Sequence, residues 1–242
     1  MVGGAASGCN VDWMNGNAVE GFGPGSPLRI VVVDDHSVVR RGVRALLESQ
    51  PGWEVVAEAQ TGREAVEVVR RLQPDIVVID LSLPELNGLD ATRQILKESP
   101  RTEVLMLTMH HSEELVRDVL QAGARGYVLK SDADASLISA VDNLRHHKPF
   151  LTPNVAEFVL DDYLRRGDQP DATALPHTRV TAREREIIQL LAEGKSNKEA
   201  ASILDVSVKT IEAHRANLMR KLHLRSFSDL VRYAVRNKIV QA

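Results

Sequence analysis

Acidic side chains end two apolar segments of this sequence, and each segment is rich in β-branched residues. The segment IVVVDD places Asp34 and Asp35 directly after three valines. The segment DIVVID ends in Asp80, and a turn through Asn87-Gly88 follows it. Such segments are typical of strands buried on both faces of a parallel sheet. We therefore expect these carboxylates at the carboxyl ends of strands, where open α/β sheets bind their ligands.

A hydroxyl and an ammonium end the next two apolar segments. Thr108 ends EVLMLT, and Lys130 ends GYVLK. Three carboxylates close together raise one another's pKa values unless a cation joins them, and Mg²⁺ suits carboxylate and phosphate oxygens. The set predicts a carboxylate that attacks phosphorus. Asp80 would become an acyl phosphate, Lys130 would neutralise phosphoryl oxygens, and Thr108 would donate a hydrogen bond to one of them.

The elements that must position these residues alternate between strand and helix patterns from residue 28 onward. Strands are predicted over 28–35, 53–59, 75–80, 103–108 and 126–130. Helices are predicted over 37–50, with Ser37 as N-cap, and over 61–72, 89–99, 112–123 and 133–147. Right-handed crossovers place such helices on both faces of the sheet. The predicted fold class is α/β, a flavodoxin-like, doubly wound, five-stranded parallel sheet in the order 2-1-3-4-5.

Residues 178–242 have a wholly helical pattern. Helices are predicted over 181–195, 196–206, 207–224 and 226–240. Thr181 and Glu184 have the spacing of a capping box, and Ser196 and Ser207 stand where N-caps are expected. A short turn joins the second and third helices, as in a helix-turn-helix. The sequence therefore predicts an all-α, four-helix domain with a helix-turn-helix.

The charge of this helical domain indicates a polyanionic partner. Residues 178–242 contain 13 Lys and Arg against 7 Asp and Glu, a formal net charge of +6, whereas the remainder carries −9. A solvated basic face on a helical bundle would have the same charge, so charge alone leaves DNA and this alternative open. If the partner is DNA, the third helix places these residues toward bases or phosphates: Ser207, Lys209, Thr210, Glu212, Ala213, Arg215, Ala216, Asn217, Arg220 and Lys221.

Composition narrows the class of protein. No apolar stretch of the 242 residues approaches the ~18 needed to cross a bilayer, so no membrane association is expected. The one cysteine, Cys9, allows no intrachain disulfide, which fits a cytoplasmic protein. Residues 1–27 lack the regions of a signal peptide and are predicted to be a disordered leader. Residues 149–177 combine a helical pattern with a polar, proline-containing stretch, which predicts a helical and flexible linker.

Four motifs resemble the receiver domain of bacterial two-component response regulators, which we assign to residues 28–148. They are VVVDDHSVVR, VVIDLSLPELNG, VLMLTMHHSEE and GYVLK. The resemblance implies a sensor histidine kinase as phosphoryl donor and Asp80 as acceptor. It further implies a switch pair, Thr108 and Tyr127, and contact of Lys130 with the phosphate. The implied Mg²⁺ ligands are Asp34, Asp35, Asp80 and the backbone carbonyl of Ser82. Receivers often have proline where this chain has Ser131, so a cis peptide bond after Lys130 is left open.

The helical domain resembles the LuxR-type output domain of the NarL/FixJ class. The resemblance is carried by TAREREIIQLLAEGKSNKEAASILDVSVKTIEAHRANLMRKLHLRSFSDLVRYAV. It implies that the helix at 207–222 reads the major groove of double-stranded DNA, that the helix at 196–203 braces it and that the last helix dimerises. The whole chain is then expected to be a transcription regulator, not an enzyme. Phosphorylation would release the output domain, expose a recognition helix that the receiver covers at rest, and produce a homodimer on DNA.

Three other functions share some of these features. An aspartyl phosphatase typically needs Asp-x-Asp, whereas Leu81 and Ser82 follow Asp80. A nicotinamide enzyme needs Gly-x-Gly-x-x-Gly after the first strand, where this chain has Asp34-Asp35-His36. A regulator controlled through protein contacts alone stays open as the alternative. The cognate kinase, its signal, the operator, the direction of regulation, the resting oligomeric state and the true start codon are not encoded in recognisable motifs.

Overall fold

Parallel strands and amphipathic helices alternate in the first part of the chain. The computed structural model describes residues 26–109, 112–153, 155–157 and 180–240. The elements are β1 (Leu28–Val33), α1 (Ser37–Glu48), β2 (Trp53–Ala59), α2 (Gly62–Leu72), β3 (Ile76–Asp80), α3 (Gly88–Glu98), β4 (Glu103–Thr108), α4 (Glu113–Gln121), β5 (Gly126–Leu129), α5 (Ala133–Arg145) and β6 (Phe150–Leu151). A short 3-10 helix, Lys130–Asp132, joins β5 to α5.

The sheet has the order β2-β1-β3-β4-β5-β6, and all of its strand pairs are parallel. The predicted fold class and strand order are confirmed, but the sheet has six strands in the described residues, one more than the five predicted. The sixth strand pairs Phe150 with Gly126 and Leu151 with Tyr127, inside the stretch predicted to be a linker. Two residues are too few to show a period-two pattern, so this strand has no recognisable signal in the sequence.

The register of the central strands brings the acidic residues together. Val33 of β1 pairs with Ile79 of β3, so the residues that follow, Asp34 and Asp80, are neighbours at the same edge of the sheet. Both strands are buried almost completely. Each fully buried Val or Ile contributes roughly 1.5–3 kcal/mol, which makes these two strands a rigid support for the acids.

The two faces of the sheet are covered by separate apolar cores, as the doubly wound fold predicts. Alternate residues of β1 and β3 enter opposite cores, because side chains in a strand point to opposite faces. Val31 and Val77 pack with residues of α2, α3 and α4. Ile30 and Ile76 pack with residues of α1 and α5.

The loop between β1 and α1 differs from the prediction by one residue. The N-cap of α1 is His36 rather than Ser37, and Ser37 is the first helical residue. The backbone N–H of His36 donates to Asp34 Oδ1 at 2.8 Å, so the Asp34 side chain forms the turn that begins the helix. Because an aspartate accepts from the residue two positions on, the turn needs no serine cap.

The output part of the chain is helical, and its predicted caps are confirmed. Its elements are α6 (Ala182–Ala192), α7 (Asn197–Ile203), α8 (Val208–Lys221) and α9 (Phe227–Arg236). Thr181 with Glu184, and Ser196 with Glu199, form capping boxes, and the Ser207 side chain caps α8. The helices enclose one apolar core that includes Ile211 and Leu218 of α8.

Several predicted features fall partly or wholly outside the described residues. The leader over 1–27 and the helix over 152–167 are two of these, and the predicted domain bounds stay predictions. Every peptide bond in the described part of the chain is trans, including the bond between Lys130 and Ser131. Across these same residues, none of the helices is both long and apolar enough to cross a membrane.

Candidate functional site

Lys130 lies between two buried carboxylates at the carboxyl edge of the sheet. Its Nζ is 2.6 Å from Asp34 Oδ2 and 2.9 Å from Asp80 Oδ2. The side chains are 9% exposed for Lys130 and 3% for each aspartate. Because the three residues end or follow β1, β3 and β5, the fold brings together side chains that are about 50 to 100 residues apart in sequence. One ammonium faces two carboxylates in a pocket with little access to water.

Opposing influences set the pKa of Asp80. Burial raises it, while the charge and hydrogen bond of Lys130 and a hydrogen bond from the Ser82 backbone lower it, and the net result is a raised pKa. Burial alone would lower the pKa of Lys130, but hydrogen bonds and charge from Asp34 and Asp80 raise it above its usual value. Lys130 is therefore a firmly charged ammonium. Burial makes the negative charge of Asp80 costly to hold, which favours a reaction in which that charge is transferred to bound oxygens.

Asp35 forms the solvent side of this pocket. Its side chain is 35% exposed, and its Oδ1 is 2.8 Å from Nδ1 of His36. Ligand atoms of Asp34, Asp35 and His36 all lie within 4.8 Å of one another. Carboxylate oxygens at this spacing are the donors that Mg²⁺ prefers, so the residues present fit the ion. His36 was not among the predicted site residues, although its position directly after the paired acids is a signal that could have identified it.

Arg40 is a second site residue that was not predicted from the sequence. Its Nη1 donates to the backbone carbonyl of Asp34 at 2.7 Å, and its Nε donates to Glu58 Oε2 at 2.9 Å. The pKa of Glu58 is lowered, chiefly by its hydrogen bond with Arg44 and also by Arg40. Arg40 shares the buried stripe of α1 with Val43 and Leu47. A charged residue on an otherwise apolar stripe is the signal that could have identified it.

The predicted switch pair lies on one face of the sheet. Met106 pairs with Tyr127 and Thr108 with Leu129, so Thr108 and Tyr127 point to the same side of adjacent strands. Both residues are fully buried, and burial raises the pKa of Tyr127 to about 12. For this pair, the resemblance to receivers implies an inward turn of the Tyr127 ring on phosphorylation. In this structure the ring already lies in the core, so that movement is not required from this conformation.

The loop that follows the acceptor strand, residues 81–87, is called the acceptor loop below. It closes tightly on β3, because the backbone N–H of Gly88 donates to the carbonyl of Leu81 at 2.8 Å. A Cβ at position 88 would lie 2.0 Å from the backbone oxygen of Asp80, so only glycine fits. Asn87 caps α3 by accepting from the N–H of Asp90 at 2.9 Å. The position of the acceptor loop is therefore fixed by the backbone of Asp80 itself.

The third helix of the output domain, α8, presents most of the predicted DNA-binding residues to solvent. Ser207, Lys209, Glu212, Ala213, Ala216, Asn217 and Arg220 are exposed, and Thr210, Arg215 and Lys221 are half-buried. The expectation that the receiver covers this helix is wrong for this structure, because the exposed residues include those of the first turn. The domains meet instead through α6 and through Lys238, in the turn after α9.

Two of the predicted DNA-binding residues, Lys221 and Arg215, contact side chains of other helices in the output domain. Lys221 Nζ lies 2.6 Å from Oε2 of Glu184, at the amino end of α6. Burial would raise the pKa of Glu184, but hydrogen bonds from Lys221 and from the Thr181 backbone hold it below its usual value. The guanidinium of Arg215 lies 5.6 Å from the ring centre of Phe227, a cation–π geometry. Lys221 thus joins two helices, and Arg215 is held at one edge of α8.

Comparison with known proteins agrees with both halves of the fold. Residues 30–142 match the response regulator receiver domain, and residues 178–234 match the family described as bacterial regulatory proteins, luxR family. The oxygen regulatory protein NreC of Staphylococcus carnosus (strain TM300) is 40% identical over 215 residues, which cover 88% of this chain and 99% of that protein.

Two solved structures are also similar to this chain. A LuxR-family two-component response regulator from Aurantimonas sp. SI85-9A1 is 39% identical, with a TM-score of 0.55, over 57% of this chain and 99% of that one. The Salmonella typhimurium response regulator RcsB, in a structure described in terms of DNA interaction, is 27% identical, with a TM-score of 0.53, over 86% of this chain and 98% of that one.

The chain therefore belongs to the two-component response regulators that join a receiver domain to a luxR-family DNA-binding domain. A receiver domain implies a histidine kinase as partner, and a luxR-family domain binds DNA. The family consists of transcription regulators rather than enzymes, in agreement with the prediction made from the sequence.

Proposed function

We propose that Asp80 accepts a phosphoryl group from a sensor histidine kinase, and that this modification controls dimeric binding of DNA by the output domain. The observation that carries the proposal is the position of Asp80, which is 3% exposed and 2.9 Å from the ammonium of Lys130. A carboxylate that served only as a helix cap or surface charge would not need burial beside a second carboxylate and a lysine.

The reaction transfers a phosphoryl group between two protein side chains. A carboxylate oxygen of Asp80 forms the new bond to phosphorus while the bond from phosphorus to the histidine nitrogen of the kinase breaks, and that nitrogen leaves with its electron pair. The Lys130 ammonium neutralises phosphoryl oxygens, and the Thr108 hydroxyl donates to one of them. Mg²⁺, held by Asp34, Asp35, Asp80 and the backbone carbonyl of Ser82, would supply further charge neutralisation and orientation.

The acyl phosphate alters the charge of a pocket that has almost no access to solvent. A phosphoryl group carries about −1.5 to −2 at neutral pH and adds three acceptor oxygens. Without the phosphoryl group, the Lys130 ammonium forms ion pairs with Asp34 and Asp80. New acceptors for Lys130 and Thr108 shift the carboxyl ends of β4 and β5, where Tyr127 packs, and the helices that follow these strands shift with them.

DNA binding is assigned to the exposed face of α8. Lys209 lies in the first turn of the helix, where base edges of a major groove are reached, and small Ala213 and Ala216 allow close approach. Two copies related by a twofold axis would place two such helices about one turn of DNA apart. The proposal includes a cytoplasmic location, because both partners, the phosphorylated histidine of the kinase and the chromosomal DNA, are reached there.

Labelling with a small phosphodonor tests the acceptor. We expect intact-mass spectrometry with acetyl phosphate and Mg²⁺ to show one added phosphoryl group on the wild type and on Asp142→Asn, whose carboxylate is exposed on α5. Asp80→Asn should stay unlabelled.

Footprinting on genomic DNA, with and without donor, then tests the switch. If Asp80 is labelled but the footprints with and without donor are identical, phosphorylation does not control DNA binding. An unlabelled wild type would contradict the acceptor and favour control through protein contacts alone.

A further inference from the structure

His36 lies directly after the paired acids and directs a ring nitrogen toward them. Its Nδ1 is 2.8 Å from Asp35 Oδ1 and 3.5 Å from Asp34 Oδ1. The His36 side chain is 68% exposed, whereas the Asp34 side chain is buried and that of Asp35 is only partly exposed. An ion that arrives from solvent therefore meets one nitrogen and two carboxylate oxygens within a small space.

The spacing of these three atoms fits a single metal ion. Ligand atoms about 2.1 Å from one ion stand about 3.0 Å apart at an octahedral centre and about 3.4 Å apart at a tetrahedral one. The distances from His36 Nδ1 to the two carboxylate oxygens, 2.8 Å and 3.5 Å, are close to these values. Among the residues that the structure describes, this is the one group of three acidic, histidine or cysteine side chains with ligand atoms so close together.

Backbone hydrogen bonds hold the residues that carry these atoms. His36 is the N-cap of α1, and its backbone N–H donates to Asp34 Oδ1 at 2.8 Å. The carbonyl of His36 accepts from the backbone N–H of Arg40 at 3.0 Å, and the N–H of Asp34 donates to the carbonyl of Ala59 at 3.2 Å. Because the main chain is fixed from residue 34 to residue 36, an ion has only side chains to order when it binds, which lowers the cost of binding.

The Asp34 carboxylate presents its two oxygens to different partners. Its Oδ2 pairs with Lys130 Nζ at 2.6 Å, while its Oδ1 is on the side of His36. An ion at Oδ1 can therefore be bound while the pair with Lys130 is kept. With Asp35 and Asp80 included, the pocket holds three carboxylates and one ammonium, a formal charge of −2 that a divalent cation neutralises.

The ring nitrogen of His36 determines which class of divalent cation is favoured. Mg²⁺ binds oxygen ligands and keeps several of its waters, so a neighbouring imidazole adds little to its affinity. Zinc and the other divalent first-row transition ions accept imidazole nitrogen readily. Because the set at residues 34–36 combines one imidazole with two carboxylates, it has a preference for transition ions that carboxylates alone would lack.

We propose that His36, together with Asp34 and Asp35, binds a divalent transition ion such as Zn²⁺ or Mn²⁺ in competition with Mg²⁺. The inference rests on the proposed function in one respect, because it takes Asp34 and Asp35 as ligands of Mg²⁺. A transition ion occupies the same two carboxylates and gains the bond to Nδ1 of His36. The ratio of the two ions around the protein then determines which one the acidic pocket contains.

A hydrogen bond from the ring to Asp35 would have the same distance of 2.8 Å, so the test must separate the two roles of His36. A purely structural histidine would affect every cation alike, because it would act through the conformation of Asp35. A ligand would affect only the ions that accept nitrogen. His146 is a matched control, since it is an exposed histidine whose Nε2 lies 3.9 Å from a carboxylate, that of Asp142 on α5.

Calorimetric titrations of the full chain with Zn²⁺, with Mg²⁺, and with Zn²⁺ in excess Mg²⁺ measure the preference. For His36→Ala we expect zinc affinity to fall about 100-fold, the upper end of the range for residues that support a metal ligand, because a direct ligand is lost. The affinity of this variant for Mg²⁺ should stay within about 2-fold of the wild-type value, since Mg²⁺ uses the oxygens. His146→Ala should match the wild type for both ions at this site. Zinc bound elsewhere in the chain is identified because His36→Ala retains it.

Pulsed electron paramagnetic resonance of bound Mn²⁺ supplies a signature that loop conformation alone does not change. A directly bound imidazole nitrogen couples to the electron spin of the ion. The wild type and His146→Ala should show this coupling. His36→Ala should lack it and still bind Mn²⁺ through the carboxylates of Asp34 and Asp35, which Mn²⁺ also accepts.

The outcomes separate the inference from the proposed function. Equal zinc affinities of the wild type and His36→Ala, or a parallel fall in zinc and Mg²⁺ affinity, would overturn the inference, while labelling of Asp80 would leave the acceptor intact. A wild type that shows no nitrogen coupling to Mn²⁺ would remove His36 from the ligands. Zinc binding that requires His36 but is not displaced by Mg²⁺ would instead contradict Asp34 and Asp35 as the Mg²⁺ ligands of the proposed function.

Discussion

Arg40 Nη1 donates to the backbone carbonyl of Asp34 across 2.7 Å, and the same guanidinium pairs with Glu58 at 2.9 Å. The bond fixes the backbone at the first residue of the acidic pair, and the ion pair fixes the arginine. Side chains that only orient metal ligands have large effects on affinity, because the ligands must otherwise be ordered when the ion binds. Arg40 is therefore a positioning residue for the proposed Mg²⁺ site.

Replacement of Arg40 by alanine should weaken Mg²⁺ binding by about 10- to 100-fold, the range found for such supporting residues. Arg41→Ala is the matched control, since the Arg41 side chain is exposed and bonds to Ser37 of its own helix. Calorimetric titration with Mg²⁺ measures both. Equal affinities for the two variants would show that the β1–α1 loop holds its conformation without Arg40.

Removal of the Lys130 ammonium should destabilise the receiver at neutral pH. Lys130→Met leaves two buried carboxylates without their cation, a loss of about 3–5 kcal/mol. The pKa of Asp80 would rise further above its unfolded value, so the folded state would bind the proton more strongly and stability would increase as the pH falls. Urea unfolding at two pH values measures this. Asp80→Asn added to Lys130→Met should restore part of the loss, and no restoration would argue against direct coupling of the two groups.

Gly88 and Gly42 should respond to alanine in opposite ways. A Cβ at position 88 would lie 2.0 Å from the backbone oxygen of Asp80, whereas nothing lies within 4 Å of a Cβ at position 42. Gly88→Ala should destabilise by several kcal/mol, because the backbone must move. Gly42→Ala, in the middle of α1, should stabilise by about 0.5–1 kcal/mol. Chemical unfolding of the two variants measures the difference, and similar values would contradict the close approach.

The N-terminal cap of α9 should make the stability of the output domain depend on pH. Hydrogen bonds from Ser226, Arg232 and the Arg225 backbone lower the pKa of Asp229 to about 2. Because the folded pKa lies below the unfolded one, this carboxylate stabilises the fold above the unfolded pKa, and the effect is lost as the pH falls toward about 2. Asp229→Asn should therefore lower the Tm at pH 7, with a difference that narrows below pH 4. A constant difference in circular dichroism melts would contradict the cap.

Lys209 and Lys221 should have different roles in DNA binding. Lys209 is exposed in the first turn of α8, whereas Lys221 binds Glu184 at 2.6 Å. If Lys209 contacts a phosphate, Lys209→Ala should weaken binding and reduce the slope of log K against log salt by about 1. Lys221→Ala should leave that slope nearly unchanged and lower the stability of the output domain. Fluorescence anisotropy at several salt concentrations, with thermal melts, distinguishes the two.

The features that local sequence patterns predict are those that depend on neighbours in the chain. Runs of apolar residues predict that Asp80 and Thr108 end strands and that Asp34 and Lys130 lie at the ends of theirs, where the structure has them directly after β1 and β5, and helix-capping spacing predicts the cap at Thr181. The switch pair and its partners were assigned through the resemblance to receivers, and the functional roles stay predictions.

The features that were missed depend on contacts between distant residues. Gln189 meets Asn87 across 102 positions, and Lys221 meets Glu184 across 37. Neither contact alters the helical period in which these side chains occur, so the pattern predicts a helix and nothing about the partner. Strand β6 was missed because two residues have no measurable period.

The accessibility of α8 has a consequence for how such a protein finds its target. If α8 contacts DNA as proposed, its exposed positive side chains would permit one-dimensional travel along chromosomal DNA even before a signal arrives, because nonspecific phosphate contacts need no partner subunit. Most copies would then reside near the chromosome at all times. The signal would govern how long a molecule pauses at an operator, and the delay between stimulus and transcription would not include a search through the cell.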